Sequence, residues 1–429
     1  MENPNLRRDF IKSASAAFTT SLFTGAVLGA NERPRIAHIG MGRMGRGNLS
    51  SSMKQDNVEI AAVCDVYQPH LEQAVKMTDG KAKAVKDFRE ILADKSIDIV
   101  GISTPDHWHA YMTVEACKAG KDVYVEKPIC VTLEEGQKMV AAATKYKRVV
   151  QAGTMQRSGT HFQKACEIVR NGDLGKICFV RTWNYGNAAP EGIGNPTDGP
   201  PPNDLDWDMW LGPAPMRPFN ANRFGVDPKA FSHFRWFWDY AGGMMTDWGI
   251  HLLDIVQMAF NEAMPTTITS VGGKYWLTDS RDTPDTLQVT YEYPGFIATY
   301  ENRTSNAQSM FQKGYGILFH GSKGTLFVDR SLYRLVPERG ATIEEVEVKS
   351  SNNSNLAHWA NLLECVRTRQ KPISDVSICN RSTATCLLGN VALRSKLRID
   401  FDQKNWTTLQ KEARKYLSRE ERKPWRIVV

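Results

Sequence analysis

The sequence predicts an α/β protein: a doubly wound parallel sheet first, then an α+β domain built on an open, mostly antiparallel sheet. Three observations carry this. The strand pattern Arg35-Ile36-Ala37-His38-Ile39 runs straight into Gly40-Met41-Gly42-Arg43-Met44-Gly45 and a helical segment. Short apolar runs then alternate with helical segments to about Gly153, the order that builds parallel βαβ units. From Thr154 the alternation stops, and short strands separated by turn residues take over.

In the first part, strands are expected at 35–40, 58–65, 97–102 and 122–126, and helices around 71–77, 88–92 and 111–119. In the second, a helix over 161–171 is closed by Gly172, and a strand spans 176–185. Asn187 to Asn203 is rich in Pro and Gly and reads as irregular. Strands at 267–275, 287–293, 298–303, 315–320 and 325–329 and helices at 356–369 and 381–393 complete the domain. The 429 residues therefore divide into a leader (1–30), a nucleotide-binding domain (33–153), a second domain (154–401) and a basic tail (402–429). Gln410 to Val429 carries seven Lys/Arg against three Glu and is expected to be a solvated helix and surface arm.

The leader reads as an export signal. Arg7-Arg8-Asp9-Phe10-Ile11-Lys12 precedes a weakly apolar run of small residues from Ala14 to Ala30. The paired arginines resemble the twin-arginine type, with Leu6 where Ser or Thr is usual, and imply a periplasmic or otherwise exported enzyme. The run falls short of the roughly 20 strongly apolar residues a membrane span prefers, so no stable anchor is expected. The net charge of +7 is modest and partly confined to the tail, which does not indicate a nucleic-acid partner. Eight cysteines include no Cys-x-x-Cys pair and no zinc-like spacing; they read as small buried hydrophobes, with no metal site.

Chemistry concentrates in four segments. Glycines at 40, 42 and 45 suit a tight turn, close approach to a pyrophosphate and tight helix–strand packing. Asp65, twenty residues beyond Gly45, ends the next strand, where a carboxylate accepts ribose hydroxyls and repels a 2′-phosphate. That favours NAD over NADP, with Met41, Arg43 and Met44 completing the loop. Thr104-Pro105-Asp106-His107-Trp108-His109 ends a strand at the carboxyl edge of the sheet, where Thr104, Pro105 and His107 would wall a nicotinamide pocket. Glu126-Lys127-Pro128 ends the next strand at the same edge, so that Lys127 can hydrogen-bond a substrate oxygen. Finally, Asp247 and His251 are four residues apart, a spacing that places both on one helix face as a proton-handling pair.

Together these segments resemble the Gfo/Idh/MocA family (glucose-fructose oxidoreductase, inositol dehydrogenase and rhizopine-catabolism proteins). The residues that carry the resemblance are Gly40 to Gly45, Ser103-Thr104-Pro105-Asp106-His107, Glu126-Lys127-Pro128 and the run from Gly242 to Asp254. Trp207-Asp208-Met209-Trp210-Leu211-Gly212-Pro213 and Gly321-Ser322-Lys323-Gly324-Thr325 support it. The likeness covers about 33–401. It implies a Rossmann domain and a C-terminal domain whose sheet often forms homo-oligomers. It implies, too, that Lys127, Asp247 and His251 surround a reacting carbinol, with Lys127 holding the oxygen, His251 accepting its proton and Asp247 orienting the imidazole. Glu126 would join Lys127 at the cofactor. Asp254 reads as a packing or orienting residue. Aromatic residues at 183, 207, 210, 236, 238 and 240 suit the apolar faces of sugar rings, although core packing accounts for many of them. Arg157, Tyr185, His233 and Trp236 are expected to join His251 as substrate contacts, with Arg235 as a further candidate.

The implied function is hydride transfer between a secondary hydroxyl of a sugar, glycoside or cyclitol and a tightly held NAD. Two alternatives stand beside it: redox-neutral glycoside cleavage through transient sugar oxidation, and a non-catalytic sugar or nucleotide sensor. Intact Lys127, Asp247 and His251 weigh against the sensor.

Overall fold

The computed structural model describes residues 33–224 and 232–429. The export signal expected at 1–30 lies outside the described residues. The first domain is a six-stranded sheet in the order β3-β2-β1-β4-β5-β6. Its strands are β1 (Arg35–Ile39), β2 (Glu59–Cys64), β3 (Lys83–Val85), β4 (Ile99–Ile102), β5 (Asp122–Val125) and β6 (Val150–Ala152). Every pairing is parallel. β1, β4 and β5 are buried almost throughout, as a sheet covered on both faces requires. The covering helices are α1 (Arg43–Met53), α2 (Gln68–Met77), α3 (Phe88–Ala93), α4 (Asp106–Lys118) and α5 (Leu133–Lys145). The order reverses between β1 and β4, which opens a crevice beyond their carboxyl ends.

Four elements of the first domain depart from the sequence expectation: the short strands β3 and β6, which are not among those expected, and two helices. α4 starts at Asp106, so Asp106 to His109 are its first turn rather than a strand end. α5 is not among the expected helices, although Thr132 and Glu135 form a capping box there, with Glu135 N donating to Thr132 Oγ1 at 3.3 Å.

The second domain carries a ten-stranded sheet. β7 (Ile177–Tyr185) lies parallel to β10 (Phe296–Arg303), and the other pairings are antiparallel. β8 (Thr267–Gly273) and β9 (Thr286–Tyr293) continue the sheet on one side. β11 (Tyr315–Gly321), β12 (Gly324–Val328), β13 (Leu332–Pro337) and β14 (Val346–Lys349) continue it on the other. β15 (Ile399–Asp402) and β16 (Thr407–Thr408) close the β8 edge. Alternation in β9 buries Leu287, Val289, Tyr291 and Tyr293 against helices, whereas Val271 and Ile297 stay exposed on the open face. The helices are α6 (Thr160–Asn171), α7 (Gly243–Asp247), α8 (Gly249–Ala259), α9 (Ser354–Thr368) and α10 (Val376–Ser395), besides shorter turns. No helix among the described residues is long and apolar enough to cross a membrane.

The basic tail is not a solvated arm. Trp425 is buried among Trp108, Tyr111 and Phe88, with ring centroids 4.9, 5.5 and 6.1 Å away. Arg419 donates to Glu135 at 2.7 Å and to the His107 carbonyl at 2.8 Å. Counting charges along the tail missed this, because its arginines cross-link and its apolar residues fill a groove on the first domain.

Candidate active site

A cavity of about 400 Å³ opens at the carboxyl edge of the first sheet and is closed from the other side by the second domain. Gly40, Gly42, Arg43, Met44 and Asp65 line one end. Gly40 has φ +84, and a Cβ there would meet Thr104 N at 2.6 Å. A Cβ on Gly45 would strike the Gly40 carbonyl at 1.8 Å, so both glycines are steric necessities of the turn. Met41 is fully buried beneath the loop, but its N–H donates to Asp65 Oδ2 at 2.6 Å. Asp65 Oδ1 accepts from Tyr67 N at 2.9 Å, so the carboxylate is held rigidly at the end of β2. α1 begins with no side-chain cap and no acidic residue in its first turn. Its free N–H groups and positive dipole end suit a phosphate, and the loop therefore fits a dinucleotide.

Thr104, Pro105, Glu126 and Lys127 line the cavity further along. Glu126 is buried and accepts from Asn48 Nδ2 at 3.0 Å; burial pushes its carboxyl above the usual range. His107 does not reach the cavity. It is buried behind the wall with Nε2 3.0 Å from the Trp210 carbonyl, because the helical start at Asp106 turns it away. His109 lines the wall instead, bridging the carbonyls of Thr104 (2.8 Å) and Pro128 (2.7 Å).

Asp247 and His251 arrive from the second domain, and their expected relationship changes. Asp247 ends α7, and α8 starts at Gly249 after a break at Trp248, so they do not share one continuous helix. The entry to α7 is set by packing: Gly243 has φ +65, and a Cβ there would meet Thr283 at 2.8 Å. Asp247 Oδ1 accepts from Lys127 Nζ at 2.9 Å and forms an ion pair with Arg235 Nε at 3.2 Å. Burial pushes this carboxyl up, but Arg235 and Lys127 outweigh it and hold it well below the usual range. Asp247 thus anchors the lysine rather than the imidazole. His251 is buried, its Nδ1 has no hydrogen-bond partner among the described residues, and its carbonyl accepts from Gln156 Nε2 at 2.8 Å. Burial, with Lys127 and Arg330 nearby, holds its pKa well below 6.5, leaving a neutral ring at neutral pH.

Of the other expected substrate contacts Arg235 lines the cavity, whereas Arg157, Tyr185, His233 and Trp236 do not. Arg157 is buried and forked onto Asp254 at 2.8 Å and Glu262 at 2.6 Å, a structural ion cluster. This also gives Asp254 its partner, reinforced by Ser382 Oγ at 2.6 Å. Tyr185 lies under the Arg303 guanidinium at 3.7 Å, beside Trp183 and Phe327. His233 bonds Asn222 Oδ1 at 3.1 Å. Trp236 is buried against the Arg281 guanidinium at 4.5 Å. Residue type alone marked all four, but each is consumed by packing. Beside Arg235 the wall holds Asp106, Trp210, Phe234, Trp248 and Arg330. Asp106 could have been found from its place in the Thr-Pro-Asp segment; Arg330 carried no local signal. Burial pushes Asp106 up to about 7, with Arg235 and Lys127 opposing.

A family model described as an oxidoreductase family with an NAD-binding Rossmann fold matches residues 34–154. Its companion, the C-terminal alpha/beta domain of that oxidoreductase family, matches 189–427. The chain belongs to the Gfo/Idh/MocA oxidoreductase family. Its first domain is the family's NAD-binding Rossmann domain, and its sheet order agrees. Among curated Gfo/Idh/MocA relatives, inositol 2-dehydrogenase of Salmonella typhimurium is 30% identical over 149 residues, 34% of this chain and 44% of that protein. Glycosyl hydrolase family 109 protein 1 of Shewanella sp. MR-4 is 27% identical over 201 residues, 40% of this chain and 44% of that protein. The chain thus spans less than half the length of the curated relatives it matches. The WlbA dehydrogenase of Bordetella pertussis, solved with NADH and UDP-GlcNAcA, shares the fold. Its TM-score is 0.65 at 18% identity, covering 87% of this chain and all of that one.

Proposed function

We propose that this protein is an NAD-dependent oxidoreductase acting on a secondary hydroxyl of a sugar, glycoside or cyclitol. One observation carries the reading. Lys127 from the first domain and Asp247 and His251 from the second line one cavity that continues to the Gly40–Asp65 cofactor end. Bound NAD supplies the hydride acceptor for the carbinol C–H. Lys127 Nζ, steadied by Asp247, donates to the carbinol oxygen, and the neutral His251 ring accepts the hydroxyl proton as the C=O bond forms. The inositol 2-dehydrogenase relative supports a polyol substrate.

A second reading is transient oxidation that permits glycoside cleavage without net redox; the Shewanella family 109 relative favours it. The retained Lys127, Asp247 and His251 favour the first. The test is to purify the protein, release and identify any bound nucleotide, and incubate the holoenzyme with glycosides and cyclitols while following nicotinamide absorbance and products. Reduction that stalls at one equivalent is expected. Free aglycone without lasting absorbance change would establish the second reading, and binding without turnover would leave only a sensor. We also propose that the 1–30 leader directs twin-arginine export with NAD already bound. Replacing Arg7 and Arg8 with Lys should retain the protein in the cytoplasm; unchanged export on cell fractionation would refute it.

A further inference from the structure

Arg330 sits in the tight turn between β12 and β13. Asp329 shapes this turn: its Oδ1 accepts from Ser331 N at 2.8 Å, Ser331 Oγ at 2.6 Å and Leu332 N at 3.0 Å. The Arg330 side chain lines the cavity together with Lys127, Asp247 and His251. Two contacts fix its guanidinium. Nε donates to Gln156 Oε1 at 3.0 Å, and the group lies over the Trp248 ring at 4.8 Å. Gln156 is itself buried and grips the His251 carbonyl, so the arginine and the histidine share one rigid bracket.

What the guanidinium lacks is an anion. Among the described residues no carboxylate pairs with Arg330, and neither of its terminal amino groups has an acceptor. The neighbouring cations differ, since Lys127 and Arg235 both face Asp247, at 2.9 and 3.2 Å. Burial lowers the pKa of Arg330, the mark of a charge taken out of water without full compensation. A guanidinium nevertheless stays protonated, so the site keeps one preorganised positive fork facing the cavity.

We propose that Arg330 determines specificity by binding a carboxylate on the substrate, so that the sugar is a uronate, an aldonate or a glycoside of one. The proposal rests on the sugar-oxidoreductase reading of the cavity. Two terminal amino groups on one planar fork match the two oxygens of a carboxylate. Lys127 and Arg235 share the one carboxylate of Asp247, so Arg330 is the cation of this group with no anion of its own to meet an incoming one. Trp248, Lys127 and His251 line the same cavity as Arg330, so a sugar anchored there by its carboxylate would share that space with all three.

The test compares matched neutral and acidic sugars, such as methyl glucoside with methyl glucuronide and galactose with galacturonate. Calorimetric binding to the NAD-loaded protein and single-turnover reduction of its nicotinamide are read separately. Wild type should prefer the acid by about 10- to 100-fold in Kd, the range for a hydrogen-bonded charge. Arg330→Gln should collapse the acid-to-neutral ratio towards one, and Arg330→Lys should keep part of it. Equal binding of acid and neutral sugar by wild type, or an unchanged ratio in Arg330→Gln, overturns the proposal. Because the readout is a ratio within one protein, general loss of folding cannot mimic it. Acid-selective binding without reduction would preserve the role of Arg330 and overturn the oxidoreductase reading instead.

Discussion

Lys127 Nζ donates both to the Asp247 carboxylate at 2.9 Å and to the Asp247 carbonyl at 3.1 Å, a double contact that joins the two domains across the cavity. Lys127 is only 10% exposed and Asp247 8%, so the pair is both a domain clasp and a means of aiming the ammonium. Lys127→Ala should lower kcat/KM for the preferred sugar by about 10²- to 10³-fold, the usual cost of removing a donor to the reacting oxygen. Steady-state kinetics check this, and near wild-type rates would remove Lys127 from the mechanism.

Asp247→Ala should destabilise the fold as well, because it strands Lys127 and Arg235 opposite no anion. Removing one partner of a buried ion pair costs about 3–5 kcal/mol. Denaturant unfolding of the variant should show that loss. A change under about 1 kcal/mol would mean that water already compensates the two cations.

His251 is held neutral well below pH 6.5 by burial and by Lys127 and Arg330, and Asp106 is pushed up to about 7 by burial. The signs are opposite. The folded state resists protonating His251, so its contribution is complete above pH 6.5 and is lost as pH falls. It favours protonated Asp106, whose contribution is complete below about pH 4 and is lost as pH rises through 7. Asp106→Asn should therefore gain stability relative to wild type between pH 4 and 7, as urea unfolding across that range would reveal. In the same variant the acid limb of kcat/KM should lie well below pH 6.5. A limb near 6.5 would mean that the imidazole titrates normally.

Gly45→Ala should abolish nucleotide retention, because its methyl would sit 1.8 Å from the Gly40 carbonyl, a backbone atom that cannot step aside. Absorbance and mass analysis of co-purified nucleotide test this. Full NAD occupancy would contradict the proposed cradle.

Trp425→Ala should cost about 3–5 kcal/mol, since the indole is enclosed by Phe88, Trp108 and Tyr111. A melting temperature within a degree or two of wild type would restore the picture of a loose tail.

The grouping of Lys127, Asp247 and His251 came from the family resemblance, and the fold brings all three to one cavity. Local pattern was enough for the βαβ order and the Gly40–Asp65 end of the cavity, through apolar period, glycine spacing and the ends of strands. It was not enough for partners. Arg157, Tyr185, His233 and Trp236 have the right side chains for a sugar, yet Asp254, Arg303, Asn222 and Arg281 already occupy them. Asp247 and His251 keep their spacing, but a break at Trp248 hands the aspartate to Lys127, 120 positions earlier in the chain. Arg330 emerged only from the hairpin that carries it to the cavity wall. The sequence by itself determined which elements form and where chemistry-bearing residues sit along them. Only the tertiary structure decided which of those charges are neutralised by neighbours and which remain for a ligand, because pairing depends on distances between segments that no local pattern encodes.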